Sequence, residues 1–148
     1  MNTQPDFEEL LRLFEENRVE YMVVGGFAVA FHGYPRFTKD IDVLYRRSSE
    51  NIRRLRRALV AFGFAKDALP RHLFSTPGNI IKFGIEPVRV DLLNDIDGVV
   101  FEDISKRAVR GQYGEAEATF IGKEDLIANK RASGRAQDLA DLERLEGR

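Results

Sequence analysis

The sequence has 148 residues, of which 43% are apolar and 32% are charged, and it contains no cysteine. This length predicts a single domain over residues 1–148 that can bury a core without disulfides or a structural metal. The lack of cysteine excludes disulfide, thiolate–zinc and cysteine-nucleophile chemistry, and the balance of 23 basic and 24 acidic residues gives no sign of bulk nucleic-acid or membrane binding.

Apolar spacing and turn residues predict an alternation of helices and strands. The predicted elements are, in chain order, a helix over 6–17, a strand over 19–24, a short apolar segment over 27–31, a strand over 41–45, a helix over 51–62, a hairpin of strands 80–85 and 88–93, a short helix over 101–108, a strand over 118–121, and helices over 124–132 and 136–145. This order predicts an α+β fold, with a mixed, twisted sheet of about four or five strands flanked by helices.

Two glycines, Gly25 and Gly26, directly follow the predicted strand 19–24. Glycine lets a backbone turn tightly and approach a ligand closely, and the free N–H groups at a following helix start favour phosphate. The pair therefore predicts a phosphate-binding turn. A plain strand–turn–helix corner is the alternative.

Two aspartates, Asp40 and Asp42, stand two residues apart where the second strand begins. Side chains two apart on a strand share a face, so the two carboxylates should point together while Ile41 and Val43 face the core. Paired carboxylates repel each other unless a cation lies between them, and they suit Mg²⁺. A solvated edge face is the alternative.

A third acid, Asp91, lies within the apolar strand 88–93. A lone acid in such a strand needs a partner. It could join Asp40 and Asp42, and three acids can hold two divalent ions and help deprotonate an attacking hydroxyl. The alternative is an ion pair with a nearby arginine such as Arg89.

Taken in order, these residues resemble the nucleotidyltransferase superfamily that includes DNA polymerase beta and the aminoglycoside nucleotidyltransferases. The shared pattern is a Gly-Gly or Gly-Ser turn, an Asp-x-Asp pair and a later acid, here Gly25, Gly26, Asp40, Asp42 and Asp91. The resemblance implies a polymerase beta-like fold, a two-ion Mg²⁺ site in which Mn²⁺ could substitute, and a nucleoside triphosphate as substrate.

The segment from Lys123 to Asp141 narrows the resemblance to minimal and AbiEii-type toxin nucleotidyltransferases, in which a helix lysine precedes an Arg-x-x-Asp-x-x-Asp-like stretch. This implies that Lys130 contacts nucleotide phosphates and that Asp138 is a site acid or supports Lys130. The alternative is that Lys130, Arg131, Asp138 and Asp141 tie two helices together by surface ion pairs. AbiEii-type toxins often carry a further helical domain. The resemblance covers only their catalytic core.

The loop between the glycines and the Asp-x-Asp pair is basic. Arg36 and Lys39 could meet the triphosphate and Thr38 could donate to a phosphate oxygen, or the loop could simply offset the nearby aspartates. His32 is expected to be structural rather than a catalytic base.

These features predict transfer of a nucleoside monophosphate to an acceptor hydroxyl with release of pyrophosphate. The resemblance implies a tRNA, a protein or a small molecule as the acceptor. The family context implies an antitoxin partner or a homo-oligomer. Two alternatives remain open: a catalytically silent nucleotide- or partner-binding module, and an unrelated metal-dependent phosphohydrolase. With no export signal and no membrane-spanning segment, the sequence predicts a cytoplasmic protein without membrane contacts.

Overall fold

The computed structural model describes residues 4–34, 39–85 and 88–147. Its elements are, in chain order, α1 (Pro5–Glu16), β1 (Tyr21–Val24), α2 (Gly25–Phe31), β2 (Asp40–Tyr45), α3 (Ser49–Phe62), a 3-10 turn (Lys66–Ala68), α4 (Arg71–Ser75), β3 (Ile80–Ile85), β4 (Val88–Leu93), α5 (Phe101–Ile104), a second 3-10 turn (Ser105–Arg107), β5 (Val109–Tyr113), β6 (Ala116–Phe120), α6 (Lys123–Ser133) and α7 (Ala136–Leu145). None of the described helices is long and apolar enough to cross a membrane.

A six-stranded mixed sheet organises the fold, in the order β3-β4-β2-β1-β6-β5. Strands β1 and β2, β3 and β4, and β5 and β6 pair antiparallel, whereas β1 pairs parallel with β6 and β2 pairs parallel with β4. The predicted α+β fold with a mixed sheet is confirmed. The predicted hairpin over 80–93 is also confirmed, although residues 86 and 87 of its turn lie outside the described residues.

The strand that the prediction missed is β5. Most of its residues are exposed or half-buried, and only Tyr113 is fully covered. It lies at the edge of the sheet, so its sequence lacks the apolar alternation that marks a half-buried strand. The sheet therefore has one or two strands more than predicted. The short helix α4 was missed for a related reason, because five residues are too few to show a helical period.

Both faces of the sheet are covered by helices. Alternate residues of the central strands, such as Val23, Ile41 and Val43, pack with α1 and α3 into one apolar core. The intervening residues Met22 and Leu44 pack with α2, α6 and the end of α7 into a second core. Because side chains alternate along a strand, Asp40 and Asp42 belong to the same face as Leu44, which is the face covered by the second core.

Candidate active site

The turn between β1 and α2 brings backbone against a carboxylate. Gly25 has a φ of +66°, and a Cβ built there would lie 2.2 Å from Oδ2 of Asp42. A side chain there would have to displace the Asp42 carboxylate, and the left-handed backbone is itself unfavourable for other residues. Glycine at this position therefore allows Asp42 to lie directly against the turn.

Asp42 and Asp91 stand side by side on neighbouring strands. Strands β2 and β4 run parallel with Asp42 opposite Asp91 and Asp40 opposite Arg89. Residues in register on adjacent strands point to the same face, so the two carboxylates meet at the surface of the sheet. Ile41 and Val43 are completely buried on the other face, as the two-residue period predicts.

The surroundings of Asp42 strongly change the pKa of its carboxyl. Burial is the largest cause that raises the pKa of this carboxyl, and the charges of Asp91 and Asp40 add to it. The charge of Lys130 lowers the pKa in part, and the result is a pKa of about 7 instead of an ordinary value of 3.8. A carboxyl so affected by like charges is characteristic of a functional site.

The donor chemistry of these strands fits a hard divalent cation. Carboxylate oxygens are the ligands that Mg²⁺ prefers, and the repulsion between Asp42 and Asp91 would be relieved by a cation between them. Among the described residues, however, no three acidic or histidine side chains are gathered closely enough to form a ready-made metal cluster. The adjacent pair Asp42 and Asp91, with Asp40 nearby on the same face, is therefore the arrangement that could accept a cation.

Asp91 and Asp40 have different cationic neighbours. Oδ2 of Asp91 lies 3.3 Å from Nζ of Lys82, which is its register partner on β3. Arg89 lies instead near Asp40, with 3.9 Å between Nε and Oδ1. The alternative that Arg89 neutralises Asp91 is therefore wrong, because the parallel register of β2 and β4 places Arg89 opposite Asp40.

A buried ion-pair cluster joins α6 to α7. Nζ of Lys130 lies 2.8 Å from Oδ1 of Asp138 and 3.0 Å from Oδ2 of Asp141. The exposed fractions of the three side chains are only 4%, 12% and 2%. The alternative is confirmed in that ion pairs tie the two helices together, but it is wrong that the pairs of Lys130 lie at the surface. Its neighbour Arg131 does make an exposed pair, with Glu146.

The pKa of Asp138 reflects this cluster. Burial alone would raise the pKa, but hydrogen bonds donated by Lys130 and Ser133 and the charge of Lys130 outweigh it. The result is a pKa of about 2, further supported by Nε of Arg135 at 3.0 Å from Oδ2. Asp138 is thus a permanently ionised acid at neutral pH that supports Lys130, as one branch of the prediction expects.

A cavity of about 580 Å³ unites these features. Of the predicted site residues, Gly25, Gly26, Asp42, Asp91, Lys130 and Asp138 line it. The residues that also line it are Val24, Ile80, Lys82, Leu93, Asp95, Ile96, Asp97, Asn129, Ser133, Arg135 and Gln137. This volume is typical of a small-molecule or nucleotide site.

Comparison with known proteins agrees with this geometry. A family model described as a nucleotidyl transferase of unknown function (DUF2204) matches residues 3–147. The chain belongs to this family. No curated protein sequence matches the chain significantly. The family confirms the prediction of a nucleotidyltransferase, while the narrower likeness to AbiEii-type toxins stays a prediction.

Solved structures of nucleotidyltransferases share the fold. The chain is similar to a presumed nucleotidyltransferase from Thermotoga maritima, with 18% identity over 99% of this chain and 97% of that chain and a TM-score of 0.61. It is also similar to the lincosamide antibiotic adenylyltransferase LnuA with lincomycin bound, with 16% identity over 99% of this chain and 98% of that chain and a TM-score of 0.58. The predicted nucleotidyltransferase fold is thereby confirmed.

The remaining predicted residues of this nucleotidyltransferase divide into those that the structure describes and those that it does not. Arg36 and Thr38 lie outside the described residues. Lys39 is exposed just before β2, and neither it nor Asp40 is among the lining residues. His32 is structural, as expected, because its Nε2 lies 2.8 Å from the backbone oxygen of Ile121.

Sequence reasoning missed part of the cavity wall. Lys82 reaches the site because the antiparallel register of β3 and β4 sets it opposite Asp91. Asp95 and Asp97 lie on the loop that follows β4, and Asn129 and Arg135 lie around Lys130. The sequence held one signal for Asp95 and Asp97, because both lie just after the strand of Asp91, at the same end of the sheet.

Gly25→Ala is expected to impair both stability and activity. The new Cβ would displace Asp42, and a misplacement of about 1 Å can cost on the order of a hundredfold in rate. The backbone strain adds roughly 1 kcal/mol. Thermal unfolding and nucleotide transfer measure the two effects. Gly63→Ala is the control, because Gly63 also has a positive φ (+135°), has nothing within 4 Å of its Cβ position and does not line the cavity. Equal effects of the two substitutions would contradict the close approach of Asp42.

Proposed function

We propose that this nucleotidyltransferase moves a nucleoside monophosphate from a nucleoside triphosphate to an acceptor hydroxyl with the help of Mg²⁺. The observation that carries the proposal is the placement of Asp42 beside Asp91 in a cavity that also includes Gly25 and Gly26. Family membership supports the transfer of a nucleotidyl group. The cations Lys82, Lys130 and Arg135 in the cavity wall support a phosphate substrate.

The residues of the chain would share the work of binding and proton transfer. The triphosphate would lie against the Gly25–Gly26 turn, where the backbone is open. The acceptor oxygen would form a bond to the α-phosphorus as the bond to pyrophosphate breaks, and Asp91 would take the hydroxyl proton. Asp42 and Asp91, with Asp40 as a third carboxylate, would hold a divalent cation, whose charge would stabilise the phosphate oxygens and acidify the acceptor hydroxyl.

Lys130 has a different setting from the mobile phosphate contact that the resemblance implies. An ammonium group has three N–H donors; that of Lys130 donates one hydrogen bond to Asp138 and lies 3.0 Å from Oδ2 of Asp141 as an ion pair. A remaining donor can be offered to a phosphate oxygen while the two carboxylates hold the side chain in place. Arg135, with 80% of its side chain exposed, is a cation of the cavity wall that could move toward a leaving pyrophosphate.

The acceptor defines the biological role. The predicted acceptors are a tRNA, a protein and a small molecule, and the fold likeness to an antibiotic adenylyltransferase supports the small molecule. The proposal also includes a toxin function, an antitoxin partner or a homo-oligomer, and a cytoplasmic location. Mn²⁺ could take the place of Mg²⁺.

Labelled nucleotides test the proposal directly. Each α-labelled triphosphate is incubated with the protein, Mg²⁺ or Mn²⁺, and either total RNA, cell lysate or a small-molecule panel, and the labelled product is separated. We expect label on one acceptor class together with pyrophosphate. Triphosphate binding by calorimetry without any transfer would favour a silent binding module, and free phosphate without an acceptor would favour a phosphohydrolase.

Mg²⁺ affinity is expected to increase with pH because the pKa of Asp42 is about 7. The carboxyl must lose its proton to bind a cation, so affinity should rise up to about tenfold per pH unit below 7 and level off above about pH 8. Titration calorimetry between about pH 5.5 and 8.5 measures this. An affinity that does not change with pH would contradict the assignment of Asp42 as a ligand.

The same pKa predicts how metal-free stability depends on pH. Between the ordinary value of 3.8 and about 7, the folded protein keeps a proton on Asp42 that the unfolded chain has lost. The free energy of unfolding should therefore decrease as pH rises through this range, relative to Asp42→Asn. Thermal unfolding of the wild type and of Asp42→Asn in the presence of a chelator measures the sign of this change. Mg²⁺ should restore the stability that the wild-type protein loses as the pH rises.

A further inference from the structure

The cavity has two halves of different chemistry. One half consists of Gly25, Gly26 and the α6–α7 junction, with hydroxyl and cationic groups suited to phosphates. The other half, which we call the acceptor subsite, lies on β3, β4 and the loop after β4. Its lining residues are Ile80, Lys82, Leu93, Asp95, Ile96 and Asp97. Asp91 lies between the two halves, because the strand order is β3-β4-β2-β1.

The acceptor subsite is both apolar and acidic. Ile80 is 47% exposed, which is high for a large aliphatic side chain, and Leu93 and Ile96 are half-buried beside it. Asp95 and Asp97 are exposed at its edge. Lys82 is the one cation among its lining residues in the described parts of the chain, and its ammonium already contacts Asp91 at 3.3 Å. The free surface therefore offers hydrophobic contact together with negative charge.

The loop that carries these acids is fixed at both ends. The Asn94 side chain donates to the backbone oxygens of Phe74 and Thr76 and accepts from the backbone N–H of Gly78. At the other end, Asn129 of α6 donates to the backbone oxygen of Asp97 at 2.9 Å. The wall is thus held in place by hydrogen bonds within the chain, which lowers the entropy cost of binding a ligand.

Close packing reinforces the second anchor. A Cβ at Gly98 would lie 2.5 Å from Cβ of Ala132 and 3.1 Å from the backbone oxygen of Ala128. The loop therefore lies directly on α6, with no room for a side chain between them. A fixed wall of defined charge is suited to select among acceptors rather than to adapt to many.

We infer that the acceptor is a small molecule that carries a hydroxyl and a protonated amine, an inference that rests on the proposed nucleotidyl transfer. The hydroxyl would attack the α-phosphorus and pass its proton to Asp91 as pyrophosphate leaves. The ammonium group would remain outside the reaction, near Asp95 and Asp97, and the carbon skeleton would contact Ile80 and Leu93. With a nucleotide in the other half of the 580 Å³ cavity, the remaining space suits a small acceptor.

Charge argues against an RNA acceptor at this subsite. An RNA 3′ end brings its own phosphates beside the reacting hydroxyl, and Asp95 and Asp97 would repel them. Surfaces that bind RNA are generally basic, whereas this subsite presents two carboxylates. A cationic acceptor gains from the same two charges.

The test is a panel of amino sugars and amino alcohols, each paired with its N-acetylated counterpart, together with a short RNA that has a free 3′ hydroxyl. Label from an α-labelled triphosphate should appear on amine-bearing acceptors. N-acetylation should reduce kcat/KM at least about tenfold, mainly through KM. Preferential labelling of the RNA, or equal use of both members of the pairs, would overturn the inference.

Variants connect this preference to the loop. Asp95→Asn combined with Asp97→Asn should bring the ratio between amine and N-acetylated acceptors close to one. Asp67→Asn, an exposed aspartate that does not line the cavity, should keep the wild-type ratio. A wild-type ratio in the double variant would also overturn the inference.

Failure of the proposed function has a separate signature, which is no label on any acceptor of any class. In that case, calorimetric titration of the same amine-bearing panel into the protein with triphosphate and Mg²⁺ decides the inference by itself. Binding of amines that the double variant weakens at least about tenfold supports the subsite. Equal binding by both proteins contradicts it.

Discussion

Asp42→Asn is expected to reduce nucleotidyl transfer by about a thousandfold or more, which is about 4 kcal/mol of transition-state stabilisation. The amide has the same shape as the carboxyl but cannot supply a negative charge to a cation. Because Asp42 is half-buried next to Asp91 and Asp40, the substitution also removes a repulsion. The free energy of unfolding of the metal-free variant should therefore equal or exceed that of the wild type at neutral pH.

Pyrophosphate release and thermal unfolding, measured on the same preparations, check both parts of this prediction. Asp91→Asn should lose activity to a similar extent, and the exposed substitution Asp67→Asn should have no effect on either measurement. A double variant, Asp40→Asn with Asp42→Asn, that still incorporates nucleotide at the wild-type rate would show that the mechanism is wrong. A variant that is inactive because it is unfolded would be recognised by its melting temperature.

Lys130→Met is expected to destabilise the protein by about 3–5 kcal/mol, because it leaves Asp138 and Asp141 as buried acids without their ammonium partner. For a domain of this size that loss corresponds to a decrease in Tm on the order of 10 °C. The lysine is only 3% exposed, so water cannot compensate for the lost charge. Urea or thermal unfolding measures the effect.

Two further variants distinguish the effect of the buried ion-pair cluster on stability from that of a surface charge. Arg131→Met, one residue along the same helix, removes an exposed pair with Glu146 and should cost at most about 1 kcal/mol. Combining Lys130→Met with Asp138→Asn and Asp141→Asn should recover part of the loss, since no buried charge then lacks a partner. Similar unfolding free energies for Lys130→Met and Arg131→Met would contradict the buried cluster.

Local periodicity was sufficient for one part of the site. The two-residue period of a strand places Asp40 and Asp42 on one face with Ile41 on the other, and the structure has this arrangement. Gly25 and Gly26 were recognisable as a tight turn for a similar reason, since few residues other than glycine adopt a positive φ. These features depend on residues close together in sequence.

Pairings between distant segments could not be derived in the same way. The contact of Asp91 with Lys82 depends on the register of a hairpin, and its position beside Asp42 depends on the register of two parallel strands. A shift of one residue would have turned these side chains to the opposite face. The resemblance to a family supplied the grouping of Asp91 with Asp42, whereas Lys82 had no such guide.

The burial of Lys130 was also beyond the reach of local patterns. Its helix has charged residues on several sides, so the sequence does not mark one face as the core. What buries the lysine is the packing of α7 against α6, which brings two acids of the next helix over its ammonium. Without knowledge of how two helices pack, a charged side chain such as Lys130 is expected to be exposed to water.

The fate of the two ends of the triphosphate tests the central claim most directly. The protein, Mg²⁺ and the best acceptor are incubated in parallel with triphosphate labelled at the α-phosphate and with triphosphate labelled at the γ-phosphate. Nucleotidyl transfer through Asp42 and Asp91 predicts that the α label appears on the acceptor and the γ label in pyrophosphate, and that Asp42→Asn abolishes both. Label from the γ position on the acceptor or in free phosphate, or unchanged transfer by Asp42→Asn, would contradict it.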